Sequence, residues 1–469
     1  MGVSRKIAVG IAGLAAFAAA ALGLLAAADG ALATAQQPLA KGTFAGVANC
    51  GGSTCHGRSV PNDPSEGVVR QDELMIWQDP ASASGAHSRA YGVLEEHRSQ
   101  QIMNALGWGG SATREPRCLG CHASGGGFLS TASAISPGIA RTDGVGCESC
   151  HGPASGWLNS HYAVGGTHAA NVARGMVPLE SPRARAEVCL NCHFGSGQPG
   201  RFVTHQMMAA GHPRISFELD LFSTLQAHHN EDEDYARRKG RISNVHMWAI
   251  GQAVALERSL SLFVSERGHE GIFPEFYFLD CHSCHRPISD QPQFNPTVVA
   301  NRARGLPNGY PPYNDENMIM LAAAARVVAP QMATRFDRAS FDFHQAMTGD
   351  RSRLAAAAAR LRQEAGALAN AFSSAEIGRA QVFRIIDTIT SNAISERFTD
   401  YAGSVQAVMA TDTLLSSLVA SGEISQEAVQ GIRADINTAY QAVSEPNAYN
   451  PRNFRASLGR AAAAIRRLR

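Results

Sequence analysis

The chain has 469 residues, 17% of them charged, with a formal net charge of +1, 45 glycines, 21 prolines, 17 histidines and 10 cysteines. That balance excludes the strongly basic surface of a nucleic-acid binder. Beyond the amino-terminal stretch, no apolar run is long enough to span a membrane.

At the amino terminus, Arg5 and Lys6 precede an apolar stretch over residues 7–28. Small-residue cleavage sites follow, ending at Ala33 and at Ala35. This is the layout of a secretory signal peptide over residues 1–35, with an uncleaved membrane anchor as the alternative reading. Either way the cysteines are expected outside the cytoplasm, in the periplasm or an equivalent extracytoplasmic space. Cleavage after Ala35 removes Arg5, Lys6 and Asp29 and leaves a net charge of zero.

The ten cysteines form five pairs, and a histidine follows each pair at once: Cys50, Cys55 and His56; Cys118, Cys121 and His122; Cys147, Cys150 and His151; Cys189, Cys192 and His193; Cys281, Cys284 and His285. Four have C-x-x-C-H spacing, and the first has two extra residues between its thiols. Such a pair of thiols can add to the two vinyl groups of a haem, with the next histidine placed beneath the ring as an iron ligand. Zinc also takes C-x-x-C pairs, but it draws four ligands from two pairs and needs no histidine after each. A disulfide across two intervening residues would be strained and reducible. Neither explains five adjacent histidines. The expected cofactors are therefore five covalent c-type haems with iron, all within residues 36–290.

That region is rich in Gly, Pro and His and shows few long amphipathic helical patterns, so loops wrapped around haem are expected there. A proline-rich connector is expected over residues 291–317. From 318 to 469 the chain has no cysteine and a single histidine, His344. Helical periodicity recurs there in five groups: Leu354, Leu361, Leu368 and Phe372; Val382, Ile385, Ile386 and Ile389; Val405, Val408, Met409 and Leu415; Val429, Ile432 and Ile436; Phe454, Leu458, Ala461, Ile465 and Leu468. Ser373 and Glu376 have capping-box spacing before the second group. The fold class expected is mainly α with much irregular loop, a multihaem cytochrome c domain followed by a C-terminal helical bundle. The last residues, from Ile465 to Arg469, read as a solvated helix end or as a docking patch for an acidic partner.

Several segments between residues 44 and 290 carry a resemblance. They include Asp79 and Pro80, His87 to Tyr91 (HSRAY), Gly146 to Pro153 (GCESCHGP), Gly211 to Arg214 (GHPR), Phe217 to Leu219 (FEL), Pro274 to Phe276 (PEF), and the opening Cys50-x4-Cys55-His56-Gly57. In these the chain resembles the multihaem c-type cytochrome family that includes the tetrahaem electron acceptor of hydroxylamine oxidoreductase (cytochrome c-554-like). It departs from that member in having a fifth motif. The resemblance implies that His87, His161 and His212 are distal iron ligands. His205 lies seven residues before His212, on the same face if the segment is helical, and His246 lies beside Trp248; these complete a distal set of five. His168, His229 and His282 are reserves, and His97, His228, His269 and His344 read as ordinary polar or packed residues.

The expected function is electron carriage between redox partner proteins, in the periplasm or at the membrane surface, through five mostly bis-histidine haems. The helical tail is a candidate for docking. The alternative is a multihaem oxidoreductase acting on a small nitrogen compound at one open-face haem. Related nitrite reductases mark that haem with Lys in place of the motif histidine, and no such motif occurs here.

Overall fold

The computed structural model describes residues 42–469 except 64–67, 126–138, 199, 230, 232, 270–273, 287, 293–303, 308 and 394–399. The signal-peptide reading, and residues 293–303 and 308 of the proline-rich connector, lie outside the described residues. What is described is mainly helical. Among these residues the β content is one isolated bridge, Leu279 to Tyr313.

Residues 42–243 form short helices joined by turns, the longest being Pro182–His193. Then comes α1, Asn244–Val264, a 21-residue helix in the part of the chain where long helices were not expected. Its residues are apolar on almost every side, from Val245 and Trp248 to Leu260 and Phe263, and nearly all are buried. A helix wrapped on every side has no polar face, so it shows no amphipathic stripe.

Seven further helices follow: α2 Glu316–Val328, α3 Pro330–Ala346, α4 Arg351–Ser374, α5 Arg379–Ala393, α6 Tyr401–Ala420, α7 Gln426–Ala442 and α8 Pro451–Arg466. The five periodic groups fall on α4 to α8 except Leu468, which lies just past α8 and is half-buried; the others are buried, for instance Leu354, Leu361, Leu368 and Phe372 on α4. Helices α2 and α3 were not read from the sequence: α2 is a largely buried run of Met and Ala lacking a polar face, whereas α3 does carry a buried stripe of Ala333, Phe336, Phe343 and Ala346. Side chains fix the starts of several helices. Asp350 accepts from the Arg353 amide, Asp400 from Gly403 and Asn450 from Asn453, each satisfying a donor without an intrahelical partner. Ser373 does not cap α5. It sits in the last turn of α4 and donates to Ala369 O. Gly378 precedes α5 instead, and the Gln381 side chain accepts from its amide at 3.2 Å.

The helix α1 is the packing axis. It lies against Pro182–His193 and Leu219–Leu225 on one side and against α2, α4 and α6 on the other. One apolar cluster consequently runs from Ala186 through Trp248 and Phe263 to Ile465. Several polar groups crossing this core are matched. Asn317 donates to Gln252, Gln252 donates to Gln406, and Gln406 donates to Phe217 O. Glu218, 1% exposed, accepts from Thr413 and from the amides of Asp220 and Leu221.

The terminal arginines are engaged within the bundle. Arg466 and Arg469 both pair with Asp387 on α5. Arg304, 7% exposed, makes two 2.6 Å bonds to Asp315 and a third of 2.7 Å to Asp400, so it joins the start of α2 to the cap of α6.

Two stability outcomes follow from these buried charges. Arg304→Met leaves Asp315 and Asp400 facing each other without a counter-charge, and urea unfolding should show a loss of about 3–5 kcal/mol. Burial, with Glu218 beside it, pushes the Asp220 carboxyl up to about 8. Because the folded value is raised, its contribution is complete below the unfolded value of about 4 and is lost as pH rises toward about 8. Asp220→Asn should therefore gain melting temperature over the parent chain at pH 9 and lose that advantage at acid pH.

Candidate haem sites

Helical spacing puts the thiol pair and histidine of the second and fourth motifs on one face. Cys118, Cys121 and His122 lie at i, i+3 and i+4 on the helix Pro116–His122, whose first turn is set by Pro116 and by Glu115 accepting from the Arg117 amide. Cys189, Cys192 and His193 end the helix Pro182–His193 in the same way, with Ser181 as cap. The third motif begins at the cap of the short helix Glu148–His151, and the fifth opens with the tight turn Cys281–Ser283. The looser first motif leaves the helix Val47–Cys50 and doubles back, with the His56 amide donating to Cys50 O. A Cβ on Gly57 would sit 2.0 Å from Gly51 O, so only glycine allows that return. No disulfide joins any of the ten cysteines, all of which are among the described residues.

Each motif imidazole faces another histidine from a distant part of the chain. The ring centres are 6.0 Å apart for His56 and His161, 6.4 Å for His122 and His212, 6.2 Å for His193 and His87, and 5.8 Å for His285 and His205. His151 faces two rings, His229 at 5.6 Å and His228 at 6.4 Å. Two imidazoles binding opposite sides of one metal at about 2 Å per nitrogen would place their ring centres roughly 6 Å apart. The residues present therefore fit a bis-histidine metal.

Four of the five distal candidates, His87, His161, His205 and His212, thus stand opposite motif histidines. His246 stands elsewhere. It lies in the first turns of α1, with Nε2 2.8 Å from Ala375 O at the end of α4. The ring facing His151 comes from His228 or His229, which immediately follow the segment Leu219–Leu225. Nothing in their spacing marked them; the fold folds that turn back over the third motif. Among the remaining histidines, His168 pairs with Glu180 at 2.8 Å. His282 stacks on Tyr401 and has Nε2 2.9 Å from Pro446 O. His344 has Nδ1 2.9 Å from Ser340 O.

Burial sets the charge of these rings. It holds His122, His151, His193 and His212 below their ordinary value, His193 at about 4. Neutral imidazole keeps a lone pair, which is the form that binds a metal. His56 differs, because a hydrogen bond to Glu73 raises it. Burial works against ionisation of Glu73, yet hydrogen bonds from His229 and His56 hold its carboxyl well below the usual range.

Two carboxylates that sequence reasoning missed shape the sites. Glu148, inside the third motif, accepts from the amides of Ala45, Gly46 and Ala154 at 2.6–2.8 Å, which pins the entry to the first motif against the third. Glu73 lies 17 residues after His56 and carries no motif signal. The motifs also touch in an order unlike that of the chain. Cys50 meets Cys147, Cys150 lies near Cys189 and Cys192, Cys192 meets Cys121, and Arg214, beside the ligand candidate His212, reaches Cys281 Sγ at 3.5 Å. The motif-to-motif contacts run first, third, fourth, second.

Paired thiols with a histidine beside them and a second histidine opposite are the arrangement that would hold a c-type haem. Residues 71–152 match the family model for cytochrome c554 and c-prime. Cytochrome c-554 of Nitrosomonas europaea is 30% identical over 145 residues, 31% of this chain and 53% of that protein. The chain thus spans about half the length of this curated relative. No solved structure matches. These findings support a cytochrome c-554-like family for the motif region. Among the described residues no helix is long and apolar enough to cross a membrane.

Proposed function

We propose that this protein is an exported electron carrier that holds five covalent c-type haems, each ligated by two histidines. The observation that carries the reading is that five motif imidazoles each face a second imidazole at 5.6–6.4 Å. The thiols would be those of Cys50 and Cys55, Cys118 and Cys121, Cys147 and Cys150, Cys189 and Cys192, and Cys281 and Cys284. The ligand pairs would be His56 with His161, His122 with His212, His151 with His229 or His228, His193 with His87, and His285 with His205. Bound haem supplies a one-electron ferric–ferrous couple. The chain's own part is to fix the imidazoles, exclude water from the buried rings and keep the motifs touching in series.

With every motif histidine faced, the carrier reading is preferred to an oxidoreductase acting on a small nitrogen compound, which needs one open iron face. We place the protein in the periplasm or an equivalent space, exported through residues 1–35, with a haem domain over 36–290 and a connector over 291–317. Residues 318–469 form a helical domain suited to docking redox partner proteins.

The intact mass should exceed that of the polypeptide by five haems. Electron paramagnetic resonance of the ferric protein should be low-spin throughout, His205→Ala should add one high-spin signal, and His246→Ala should add none. A high-spin signal in the parent protein that responds to nitrite, hydroxylamine or nitric oxide would establish the enzyme instead. Truncation before Glu316 strips α2, α4 and α6 from α1, so it should cost haem retention together with capture of the redox partner; a truncated chain that keeps the full haem spectrum would instead support a separate haem domain.

A further inference from the structure

We infer that Glu73 is a positioning residue shared by two haem sites, backing His56 in the first and selecting His229 over His228 as the ring opposite His151 in the third. The inference rests on the haem reading above. Glu73 is 6% exposed, and its two oxygens point to different imidazoles. Oε2 is 3.0 Å from His56 Nδ1, and Oε1 is 3.8 Å from His229 Nδ1. Both contacts engage Nδ1, which leaves Nε2 as the nitrogen available to iron.

The third site needs such a choice. The rings of His228 and His229 are centred 4.1 Å apart and both lie within reach of His151. One iron face accepts one of them. The Nδ1 of His228 lies 2.9 Å from a neutral carbonyl, Gln226 O, whereas that of His229 faces a buried carboxylate. An N–H directed at a carboxylate makes the opposite nitrogen of the ring more basic, and so a stronger donor to ferric iron. His229 is also the nearer ring.

The same charge orders the sites. A buried negative group behind a ligand stabilises the ferric state, so the first and third sites should be the hardest to reduce. At the second and fourth motifs the backing is neutral or missing: His122 Nδ1 faces Ala90 O at 2.8 Å, and His193 Nδ1 is buried with no hydrogen-bond partner. Since the first and third motifs begin the spatial series, Glu73 makes that end the low-potential one. Electrons would settle toward the fourth motif and beyond.

The test is Glu73→Gln in the full chain, which keeps shape and an acceptor oxygen but removes the charge. Intact mass comes first: absence of the five haems would overturn the haem reading itself, and with it this one. With haems present, a spectroelectrochemical titration should show two of five components shifted to higher potential. A shift of one component, or of none, overturns the shared role. Independently of whether that variant folds, His229→Ala should add one high-spin ferric signal and His228→Ala should add none. Any other pattern overturns the selection of His229.

Discussion

Ten imidazole rings are brought together in pairs with ring centres about 6 Å apart, several of them buried and held neutral. A buried ring nitrogen without a partner costs free energy. Imidazole nitrogens facing one another across such gaps are too far apart to satisfy each other, and a metal between them would satisfy both. The short helices, the returns at glycine and the scarcity of β structure in residues 42–243 are compatible with this constraint. Those segments need only present a thiol pair and a ring at the correct place.

The rest of the fold holds the loops in register. The apolar cylinder of α1 receives Pro182–His193 and Leu219–Leu225 on one side and α2, α4 and α6 on the other. The matched chain from Asn317 through Gln252 and Gln406 to Phe217 O then ties the tail to the segment just after His212. Arg304 performs a similar task between α2 and α6. Because buried polar groups must be paired completely, these contacts fix one relative arrangement of the helices and disfavour neighbouring ones.

Some of this was legible in particular residues and some was not. Leu354, Leu361, Leu368 and Phe372 announced α4 because one side of that helix meets water. Trp248 and Phe263 could not announce α1, because no side of it does. Ser373 misled for a different reason: its spacing to Glu376 is that of a cap, but α4 continues past it, and tertiary packing decides where a helix stops. His246 misled because a histidine near Trp248 has no sequence property separating a ligand from a ring bonded to a carbonyl such as Ala375 O.

The sequence by itself determined the five thiol pairs and the histidine beside each, since the pattern is local: five consecutive positions contain each regular motif and seven contain the first. It also determined the mainly helical character of the tail. Only the tertiary structure decided which second ring faces each motif, that Glu73 stands between His56 and His229, and that four motifs touch in the order first, third, fourth, second. Those relations join residues up to more than a hundred positions apart, and such distances are set by how the chain packs around α1.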